Sequence, residues 1–445
     1  MQLREQLAQR ISDRTAIVGI IGLGYVGLPL AAALHRGGLR VIGFDIDERK
    51  VVALTQGDTY LEHLGPDLSP SLAESDRFEA TTAFERLAHV DISICCVPTP
   101  LGPHREPDLS FVRSSAGQIG RYARPGHLAI LESTTYPGTT RDVFLPALLA
   151  ARPAFEALAL GRDLFIAYSP EREDPGRRSH NTQSTPKLVG GLDEATTGLA
   201  AALYRVGIDD VVPVRSAEIA EAAKLLENVF RAVNIALVNE LKTVLSAMNV
   251  DVWDVIDAAA TKPFGFLPFY PGPGLGGHCI PIDPFYLAWQ ARAVGCDTRF
   301  VELAGEVNRS MPAYVVRRVG EALNDEGKAL RNSDLLVLGL AYKRDVDDTR
   351  ETPAAEIIAR LAAAGARVSY HDPHVPVFPR KRDYDLSMTS IDLDADRLAA
   401  TDGVIVVTDH AAIDWSLVGR HARLIVDTRN AMAGVGGCKA RVVKA

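Results

Sequence analysis

The feature that most constrains this chain is a glycine-rich turn directly after a short apolar run. Residues 16–21 read AIVGII, a composition typical of a strand buried on both faces of a parallel sheet. Gly22, Gly24 and Gly27 follow with the spacing GxGxxG, and a helical pattern begins behind them. A strand, this spacing and a helix in that order predict a dinucleotide-binding unit, because such glycines let the backbone approach a pyrophosphate.

Asp45 indicates which dinucleotide is bound. It directly follows the next apolar run, residues 41–44, and lies 18 residues after Gly27. A carboxylate at this place accepts hydrogen bonds from ribose hydroxyls and repels a 2′-phosphate, so NAD is favoured over NADP. The alternative is a glycine-rich turn without a ligand, which the strand–turn–helix context disfavours.

Alternating apolar and helical stretches predict an α/β fold. Residues 1–214 are predicted to form a doubly wound NAD-binding domain. Residues 216–248 lack Pro and Gly and have apolar side chains at helical spacing, which predicts a helix of roughly 30 residues within a central helical region, 215–325. Strand signals return at 335–342 and predict a Rossmann-like unit over 326–445 without a second GxGxxG. The predicted fold is two Rossmann-like doubly wound domains joined by a long central helix and a small helical domain.

Bulk composition excludes several classes of function. The 445 residues, 47% apolar and 23% charged, are typical of a globular protein with two or three domains. A net charge of −8 argues against nucleic acid as a partner, because phosphate binding needs a basic surface. We expect no membrane span, no signal peptide and a cytoplasmic location. The five cysteines form no CxxC or zinc-ligand spacing, so no metal is expected.

Cys279 lies in an unusual loop, residues 271–284, PGPGLGGHCIPIDP. Four glycines and four prolines make this loop locally bent and open to a ligand. Most cysteines are small buried apolar residues, an interpretation that suits Cys95 and Cys96 in a predicted strand. It suits Cys279 poorly, because the loop lacks strand or helix periodicity. Nearby amides, His278 and Lys224 would favour a thiolate, so Cys279 is a candidate nucleophile.

Lys224 and Asn228 are four residues apart on the predicted long helix and therefore share one face. A solvated polar pair is the ordinary alternative. Ala223, Leu226 and Phe230 suggest instead that much of the helix is covered. The pair then suits holding a substrate hydroxyl and its developing oxyanion.

Further polar candidates follow predicted strands. Thr99 and Thr134 come at strand ends, where ligands bind in such sheets. Glu171 and Arg172 lie in the segment SPER, and Lys343, Asp345 and Arg350 form a charged cluster after the first strand of the last unit. Taken alone, each is more often a surface charge or a cap.

Together these motifs resemble the nucleotide-sugar 6-dehydrogenase family, the UDP-glucose, UDP-N-acetylglucosamine and UDP-N-acetylmannosamine dehydrogenases. The resemblance covers nearly the whole chain. Its motifs are, in order, GLGYVGLPLA, VPTP, ESTTYPGTT, SPER, the Lys224/Asn228 helix, GGHCIPIDP and GLAYKRDVDDTRE. It implies an N-terminal NAD domain, a central helix that forms a homodimer or higher homo-oligomer, and a C-terminal domain that binds the UDP of the substrate.

The resemblance also implies roles for individual residues. The implied NAD contacts are Gly22, Gly24, Tyr25, Val26, Gly27, Asp45, Lys50, Thr99, Thr134 and Arg350. The implied nucleotide-sugar contacts are Glu171, Arg172, Lys224, Asn228, Lys262, Tyr270, Gly276, His278 and Lys343. The implied catalytic residues are Cys279, Lys224, Asn228, Asp283, Thr134 and Glu171. Lys262 is expected to act across the dimer, and Glu173 is a candidate second acid.

The implied reaction is the four-electron oxidation of a sugar CH2OH to a carboxylate, through a thiohemiacetal and a thioester on Cys279. His278 and Ile282 differ from the UDP-glucose pattern and favour the UDP-N-acetylhexosamine branch. Within that branch, Pro281-Ile282 with Phe285-Tyr286 favours UDP-N-acetylglucosamine, for polysaccharide or glycan precursor synthesis. UDP-N-acetylmannosamine and UDP- or dTDP-glucose are alternatives. A two-electron hydroxyacid dehydrogenase and a binding module without activity are more distant ones.

Overall fold

The computed structural model describes residues 2–61, 64–102, 106–152, 158–172, 182–277, 280, 282–379 and 386–445. The chain falls into two compact units. The first unit is Met1–Glu227 with Trp289–Val294, and the second unit is Asn228–Ala288 with Gly295–Ala445. The division into three domains, at 214 and 325, stays a prediction.

Eight strands form the sheet of the first unit within its described residues, in the order β3-β2-β1-β4-β5-β6-β7-β8. Their bounds are β1 Ile17–Ile21, β2 Arg40–Phe44, β3 Phe78–Thr81, β4 Ile92–Cys95, β5 His127–Leu131, β6 Leu164–Tyr168, β7 Lys187–Gly191 and β8 Val211–Pro213. The apolar runs 16–21 and 41–44 form the strands β1 and β2, as predicted. The half-buried edge strand β3 was not predicted, because it lacks such a run.

The sheet is parallel except between β6 and β7, where Ala167 pairs with Gly191 in antiparallel register. Apolar runs do not encode strand direction, so the sequence did not predict this reversal. The order of strands reverses at β1, which lies between β2 and β4. In open α/β sheets the crevice at such a point, beyond the carboxyl ends of the strands, receives the ligand.

Helices cover the first sheet and bury its apolar side chains. They are α1 Leu3–Ser12, α2 Gly27–Arg36, α3 Glu48–Gln56, α4 Leu68–Ala73, α5 Ser110–Tyr122, α6 Leu145–Ala150 and α7 Glu194–Tyr204. A 3₁₀ helix occupies Phe84–His89, and one π-helical turn, Thr140–Phe144, precedes α6.

The predicted long helix is α8, Ala217–Ala247, with 31 residues. It is followed by α9 Val252–Ala260, α10 Asp283–Ala293 and α11 Arg299–Asn324. These helices form the central helical region that the sequence predicted over 215–325. The chain turns between α10 and α11 at Gly295, whose φ of +76° is the left-handed conformation that glycine adopts readily.

The last part of the second unit is a parallel five-stranded sheet in the order β10-β9-β11-β12-β13. The strands are β9 Asp334–Leu338, β10 Arg367–His371, β11 Gly403–Val406, β12 Leu424–Asp427 and β13 Arg441–Lys444, and the helices are α12 Pro353–Ala363, α13 Ala395–Ala400 and α14 Trp415–His421. Alternate residues of β9 serve two cores: Leu335 and Val337 face one, Leu336 and Leu338 the other. Two covered faces are what a doubly wound unit requires.

The fold class predicted from the sequence, two Rossmann-like α/β regions and a long central helix, is confirmed. Among the described residues, no helix has the length and apolar character that crossing a membrane requires.

Candidate active site

The glycine turn of the first unit is shaped by two steric limits. A Cβ atom on Gly22 would lie 2.5 Å from the Cys96 carbonyl oxygen, and one on Gly27 would lie 1.8 Å from the Gly22 oxygen. A Cβ on Gly24 would meet no atom within 4 Å. Gly22 and Gly27 therefore keep strand, turn and helix in close contact, whereas Gly24 leaves room for a ligand. This arrangement fits a dinucleotide.

Asp45 is held beside this turn with its carboxylate oriented. Its Oδ2 accepts a hydrogen bond of 2.9 Å from the Leu23 amide and its Oδ1 accepts one of 2.9 Å from the Asp47 amide. Lys50 Nζ forms an ion pair with Asp45 Oδ2 at 2.9 Å. The predicted cofactor residues Asp45 and Lys50 are thus brought together. Tyr60, which the sequence did not single out, donates to the Leu23 carbonyl at 2.6 Å.

Two predicted threonines lie at the carboxyl edge of the first sheet. Buried Thr99 follows β4, Thr134 follows β5, and the Thr99 hydroxyl donates to the Thr134 carbonyl at 2.7 Å. Tyr25 and Val26, in the glycine turn, are partly buried against the first core. The structure therefore places these residues at strand ends and at the turn, as predicted.

Glu171 belongs to a buried charged group that the sequence did not predict. Lys187 Nζ pairs with Glu132 and lies 3.5 Å from Glu171 Oε2. Burial lowers the pKa of Lys187, while the two carboxylates favour its charged form. Tyr204 donates to Glu132 Oε2 at 3.2 Å. A lysine at the start of an apolar run resembles a solvated strand end, so its sequence carried no signal of this role.

Arg172 is already held by protein groups. Its Nη2 lies 2.6 Å from Glu227 Oε1, and its Nη1 donates to the Pro186 carbonyl at 2.7 Å. Its side chain retains 25% exposure. Arg172 therefore connects the end of β6 to α8 within the first unit, and its role as a substrate contact stays a prediction.

Helix α8 is tied to the loop of the ESTTYPGTT motif by Glu221. This fully buried carboxylate accepts hydrogen bonds from the Gly138 amide at 2.6 Å and from the Thr140 amide at 2.8 Å. Burial raises the pKa of Glu221 to about 7, although these hydrogen bonds lower it. Glu221 precedes Lys224 by three residues on the same helix. The sequence analysis did not single out Glu221, and this spacing is the one signal that could have identified it.

Lys224 is 7% exposed and Asn228, one turn further along α8, is 4% exposed. Their burial excludes the ordinary alternative of a solvated polar pair. The prediction that Leu226 and Phe230 are covered was wrong, because they are 68% and 48% exposed. The covered face of α8 is instead the one that carries Lys224 and Asn228. Polar groups on a buried helix face need partners or a ligand.

Asn228 has such a partner within the second unit. Its Nδ2 donates to Asp283 Oδ2 at 2.5 Å, and Asp283 is 2% exposed. Asp283 begins α10, where the helix N-terminus favours a negative charge. The structure thus brings together two predicted catalytic residues that are 55 positions apart. Cys279 and His278, like Glu173, lie outside the described residues.

The glycine loop and the GLAYKRDVDDTRE motif meet in the second unit. The Gly277 amide donates to the Arg350 carbonyl at 2.9 Å. A Cβ on Gly276 would lie 2.5 Å from the Tyr342 Cβ. Only a glycine permits this approach, so the predicted substrate residue Gly276 lies against the loop of Lys343.

The remaining predicted residues of the second unit have separate surroundings. The Arg350 guanidinium forms a two-point pair with Asp348, at 2.6 Å and 2.9 Å to Oδ2. Lys262 is exposed, 5.0 Å from the centre of the Phe264 ring. Tyr270 is 48% exposed and donates to Asp257 at 2.7 Å. Lys262 and Tyr270 are therefore surface residues, unlike the buried Asn228 and Asp283.

The sequence also did not predict a buried lysine beside the glycine loop. Lys242 is 3% exposed and donates to the Gly272 carbonyl at 3.3 Å. Burial, with the guanidinium groups of Arg429 and Arg318, lowers the pKa of Lys242 to about 7. A Cβ on Gly272 would lie 2.7 Å from Arg429 Nη1. Lys242 and Arg429 together make this part of the loop receptive to an anion.

The two other cysteines of interest behave as the sequence predicted. Cys95 and Cys96 are buried around the end of β4. Burial raises the pKa of the Cys95 thiol to about 12 and that of Cys96 further. Buried thiols of this kind are unreactive, so the interpretation of both residues as small apolar groups is confirmed.

Three family models match the chain in succession. Residues 16–207 match the NAD binding domain of the UDP-glucose/GDP-mannose dehydrogenase family, residues 218–310 its central domain, and residues 336–434 its UDP binding domain. The matches follow the order that the sequence motifs predicted.

Individual proteins are similar over most of their length. UDP-N-acetyl-D-glucosamine 6-dehydrogenase from Pseudomonas aeruginosa is 34% identical over 88% of this chain and 90% of its own. UDP-N-acetyl-D-mannosamine dehydrogenase from Methanococcus maripaludis is 31% identical over 92% of both chains. The solved UDP-D-ManNAc dehydrogenase from Pyrococcus horikoshii superposes with a TM-score of 0.83 at 30% identity, covering 96% of this chain and 99% of its own.

Proposed function

The chain belongs to the UDP-glucose/GDP-mannose dehydrogenase family, and we propose on that basis that it oxidises C6 of UDP-N-acetylglucosamine to the carboxylate. Membership makes it an NAD-dependent nucleotide-sugar 6-dehydrogenase. His278 and Ile282 favour an N-acetylhexosamine over glucose, and the choice of N-acetylglucosamine rests on Pro281-Ile282 with Phe285-Tyr286, supported by the similar Pseudomonas enzyme.

The observation that carries the proposed mechanism is the buried hydrogen bond between Asn228 and Asp283. Asp283 follows Cys279 by four residues, so an oriented carboxylate stands at the end of the cysteine loop. Burying a carboxylate costs free energy, so a buried carboxylate commonly has a structural or functional role. Here that role is proposed to be a base that activates water near a thioester.

In this mechanism Cys279 is the nucleophile. Loss of a hydride and a proton from the C6 alcohol gives an aldehyde, and the Cys279 sulfur bonds to its carbon as a thiohemiacetal. Loss of a second hydride and proton gives a thioester. Water then releases the carboxylate and returns the thiol. NAD, when bound, accepts one hydride at each oxidation.

The polar residues have separate tasks. Lys224 and the Asn228 amide stabilise the oxyanion that develops at C6. Asp283, with Thr134, positions the water, and Asp283 takes its proton. Glu171, oriented by Lys187, contacts the sugar. Gly22, Gly24 and Gly27 hold the pyrophosphate of NAD, and Asp45 its ribose.

The nucleotide of the substrate is assigned to the second unit. Its support is the family's UDP binding domain over residues 336–434 and the basic side chains of Lys242 and Arg429 beside Gly272. Gly276 and Lys343 belong to the two loops that meet there. A diphosphate would offset the cost of the buried ammonium group.

We also propose that the protein acts as a homodimer formed through α8. One face of this helix carries exposed apolar residues at heptad-like spacing: Leu226, Phe230, Leu237, Leu241 and Val244. Such a stripe is typical of a helix that pairs with another copy.

The test is NADH release with UDP-N-acetylglucosamine, UDP-N-acetylmannosamine, UDP-glucose, UDP-galactose and dTDP-glucose. The proposal expects the highest kcat/KM with UDP-N-acetylglucosamine and two NADH per sugar. Some similar proteins are named UDP-N-acetyl-D-mannosamine dehydrogenases. A preference for UDP-N-acetylmannosamine would therefore contradict the proposed sugar but not the proposed four-electron oxidation. One NADH per sugar would contradict the four-electron mechanism.

Cys279→Ala is the decisive variant, with Cys296→Ala, an exposed thiol, as the matched control. Cys279→Ala is expected to lose formation of the carboxylate, whereas Cys296→Ala keeps it. If Cys279→Ala still produced two NADH per sugar, Cys279 would not be the nucleophile.

A further inference from the structure

Three side chains converge at the carboxyl edge of the second sheet: Asp345, His374 and His410. They follow β9, β10 and β11, which are neighbours in the sheet. Asp345 Oδ1 lies 3.9 Å from His374 Nε2 and 3.9 Å from His410 Nδ1. One ligand atom from each residue lies within 4.8 Å of the others. None of these residues has a role in the dehydrogenase mechanism.

His410 is oriented as a metal ligand would be. It is fully buried, and its Nε2 donates to the buried carboxylate of Asp372 at 3.1 Å. That carboxylate places the proton on Nε2, and the Asp345 amide, which donates to Nδ1 at 3.0 Å, places the lone pair on Nδ1. A histidine that binds a metal through one nitrogen commonly donates through the other to a carboxylate.

His374 supplies an independent observation. Its Nε2 is a buried atom without a hydrogen-bond partner among the described residues. Its ring centre lies 4.9 Å from that of His410. A buried polar atom without a partner is destabilising, whereas coordination of a cation would satisfy it.

Asp345 is positioned by the backbone. The Ala411 amide donates to its Oδ1 at 2.7 Å, and its own φ of +58° is a conformation that non-glycine residues adopt at a cost. Its Oδ2 lies 3.4 Å from Arg344 Nε, and Arg344 also pairs with Asp409 at 3.3 Å. Asp345 Oδ1 therefore faces the two histidines while Oδ2 faces the guanidinium.

We propose that Asp345, His374 and His410 bind one divalent transition-metal ion, such as zinc. Two imidazole nitrogens and one carboxylate suit Zn²⁺, Co²⁺ or Ni²⁺, whereas Mg²⁺ and Ca²⁺ prefer oxygen ligands. Ligand atoms of a tetrahedral zinc site are about 3.4 Å apart, so each separation of 3.9 Å must shorten by about half an ångström.

Coordination by His410 also requires the Asp345 amide to release Nδ1. A rotation of the Asp345 backbone, whose φ is +58°, would turn this amide away from Nδ1, and the metal–nitrogen bond would replace the hydrogen bond that is lost. Because Lys343 is two residues away, the ion would then hold the loop of Lys343 in one position. The ion is structural in this proposal and takes no part in hydride transfer.

The experiment is a Co²⁺ titration of tag-free, chelator-treated protein, followed by the visible absorption of the bound ion. We expect one Co²⁺ per chain, with intense bands typical of a four-coordinate site, and displacement by one equivalent of Zn²⁺. His374→Gln and Asp345→Asn, both partly exposed residues, should each weaken binding more than about tenfold. His421→Gln, at the end of α14, should leave the affinity unchanged and is the matched control.

The proposal is overturned if the unsubstituted protein shows no such bands. It is equally overturned if His374→Gln and Asp345→Asn bind Co²⁺ as tightly as the control does, because the ion would then lie elsewhere. The readout is spectroscopic, so neither result depends on the dehydrogenase activity.

Discussion

In the proposed mechanism, the chemistry depends on single residues of the buried face of α8. Asn228 uses an amide hydrogen to hold the Asp283 carboxylate at 2.5 Å, away from bulk water. A carboxylate oriented in this way accepts a proton from a nearby water without reorganising. In the proposed mechanism, hydrolysis of the thioester is therefore the step that depends most on Asp283.

Asp283→Asn is expected to slow turnover by roughly 10²–10⁴-fold, because the amide cannot accept the proton of the water. The thioester on Cys279 should then accumulate and be detected by intact-protein mass spectrometry. Asp254→Asn, an exposed acid in the first turn of α9, is the matched control. Unchanged turnover in Asp283→Asn would rule out Asp283 as the base.

The buried amine of Lys242 makes the free energy of unfolding depend on pH. Its folded pKa of about 7 lies below the value of 10.5 for a free lysine, because burial penalises the ammonium form. Between these two pH values the unfolded chain binds the proton and the folded chain does not. The free energy of unfolding therefore rises with pH across this window, and the full cost of the charge is present below about pH 7.

Lys242→Met removes this titration. Between about pH 7 and pH 9 the unsubstituted protein should gain stability relative to Lys242→Met, on the order of 2 kcal/mol. Urea unfolding at both pH values measures the difference, with Lys439→Met, an exposed lysine, as the control. A difference that is independent of pH would show that Lys242 has an ordinary pKa.

At the scale of secondary-structure elements, the connection between β1 and α2 combines a structural and a binding task. Gly22 and Gly27 allow the strand, the turn and the helix to pack, whereas a Cβ on Gly24 would meet no protein atom. The two tasks can therefore be separated by substitution. Similarly, Glu221 fixes the loop of Gly138 and Thr140 to α8.

Gly24→Ala should weaken NAD binding by about tenfold or more with little change in Tm, because the added methyl group occupies the space of the ligand. Gly27→Ala should lower Tm, since its Cβ would lie 1.8 Å from the Gly22 oxygen. Calorimetric titration with NAD and thermal unfolding measure the two effects.

Gly198→Ala, on α7, serves as the control for these variants. Its Cβ would also meet no atom within 4 Å, so it should bind NAD normally. Normal NAD affinity in Gly24→Ala would show that the pyrophosphate does not approach this turn.

At the scale of the whole molecule, α8 presents an apolar stripe that the chain by itself does not cover. Leu226, Leu237 and Leu241 are 68%, 53% and 40% exposed. Burying a leucine side chain contributes about 1.5–3 kcal/mol, so pairing this stripe with that of a second copy would favour association.

Leu237→Glu should convert the dimer to a monomer of 48.0 kDa, because a carboxylate would enter the apolar interface. Light scattering coupled to size exclusion measures the mass. Leu149→Glu, on α6 with 41% exposure, is the control and should remain dimeric. A monomeric unsubstituted protein, or a dimeric Leu237→Glu, would contradict the proposed interface.

The sequence by itself determined the features that depend on local spacing. GxGxxG after a β-branched run specified the NAD turn, and the absence of Pro and Gly over residues 216–248 specified α8, because backbone conformation follows neighbouring residues. The predicted strands were identified from the same kind of local pattern. The antiparallel pairing of β7 was not, since it depends on a distant partner.

Only the tertiary structure decided which polar side chains are buried and with whom they pair. Asn228 meets Asp283 across 55 positions, and Glu221 meets Thr140 across 81. Asp345, His374 and His410 converge because β9, β10 and β11 are neighbours in the sheet, although no ligand spacing is visible along the chain. Burial and pairing at such separations follow from strand order and from the packing of helices, and the pattern of apolar residues along the chain does not encode either one.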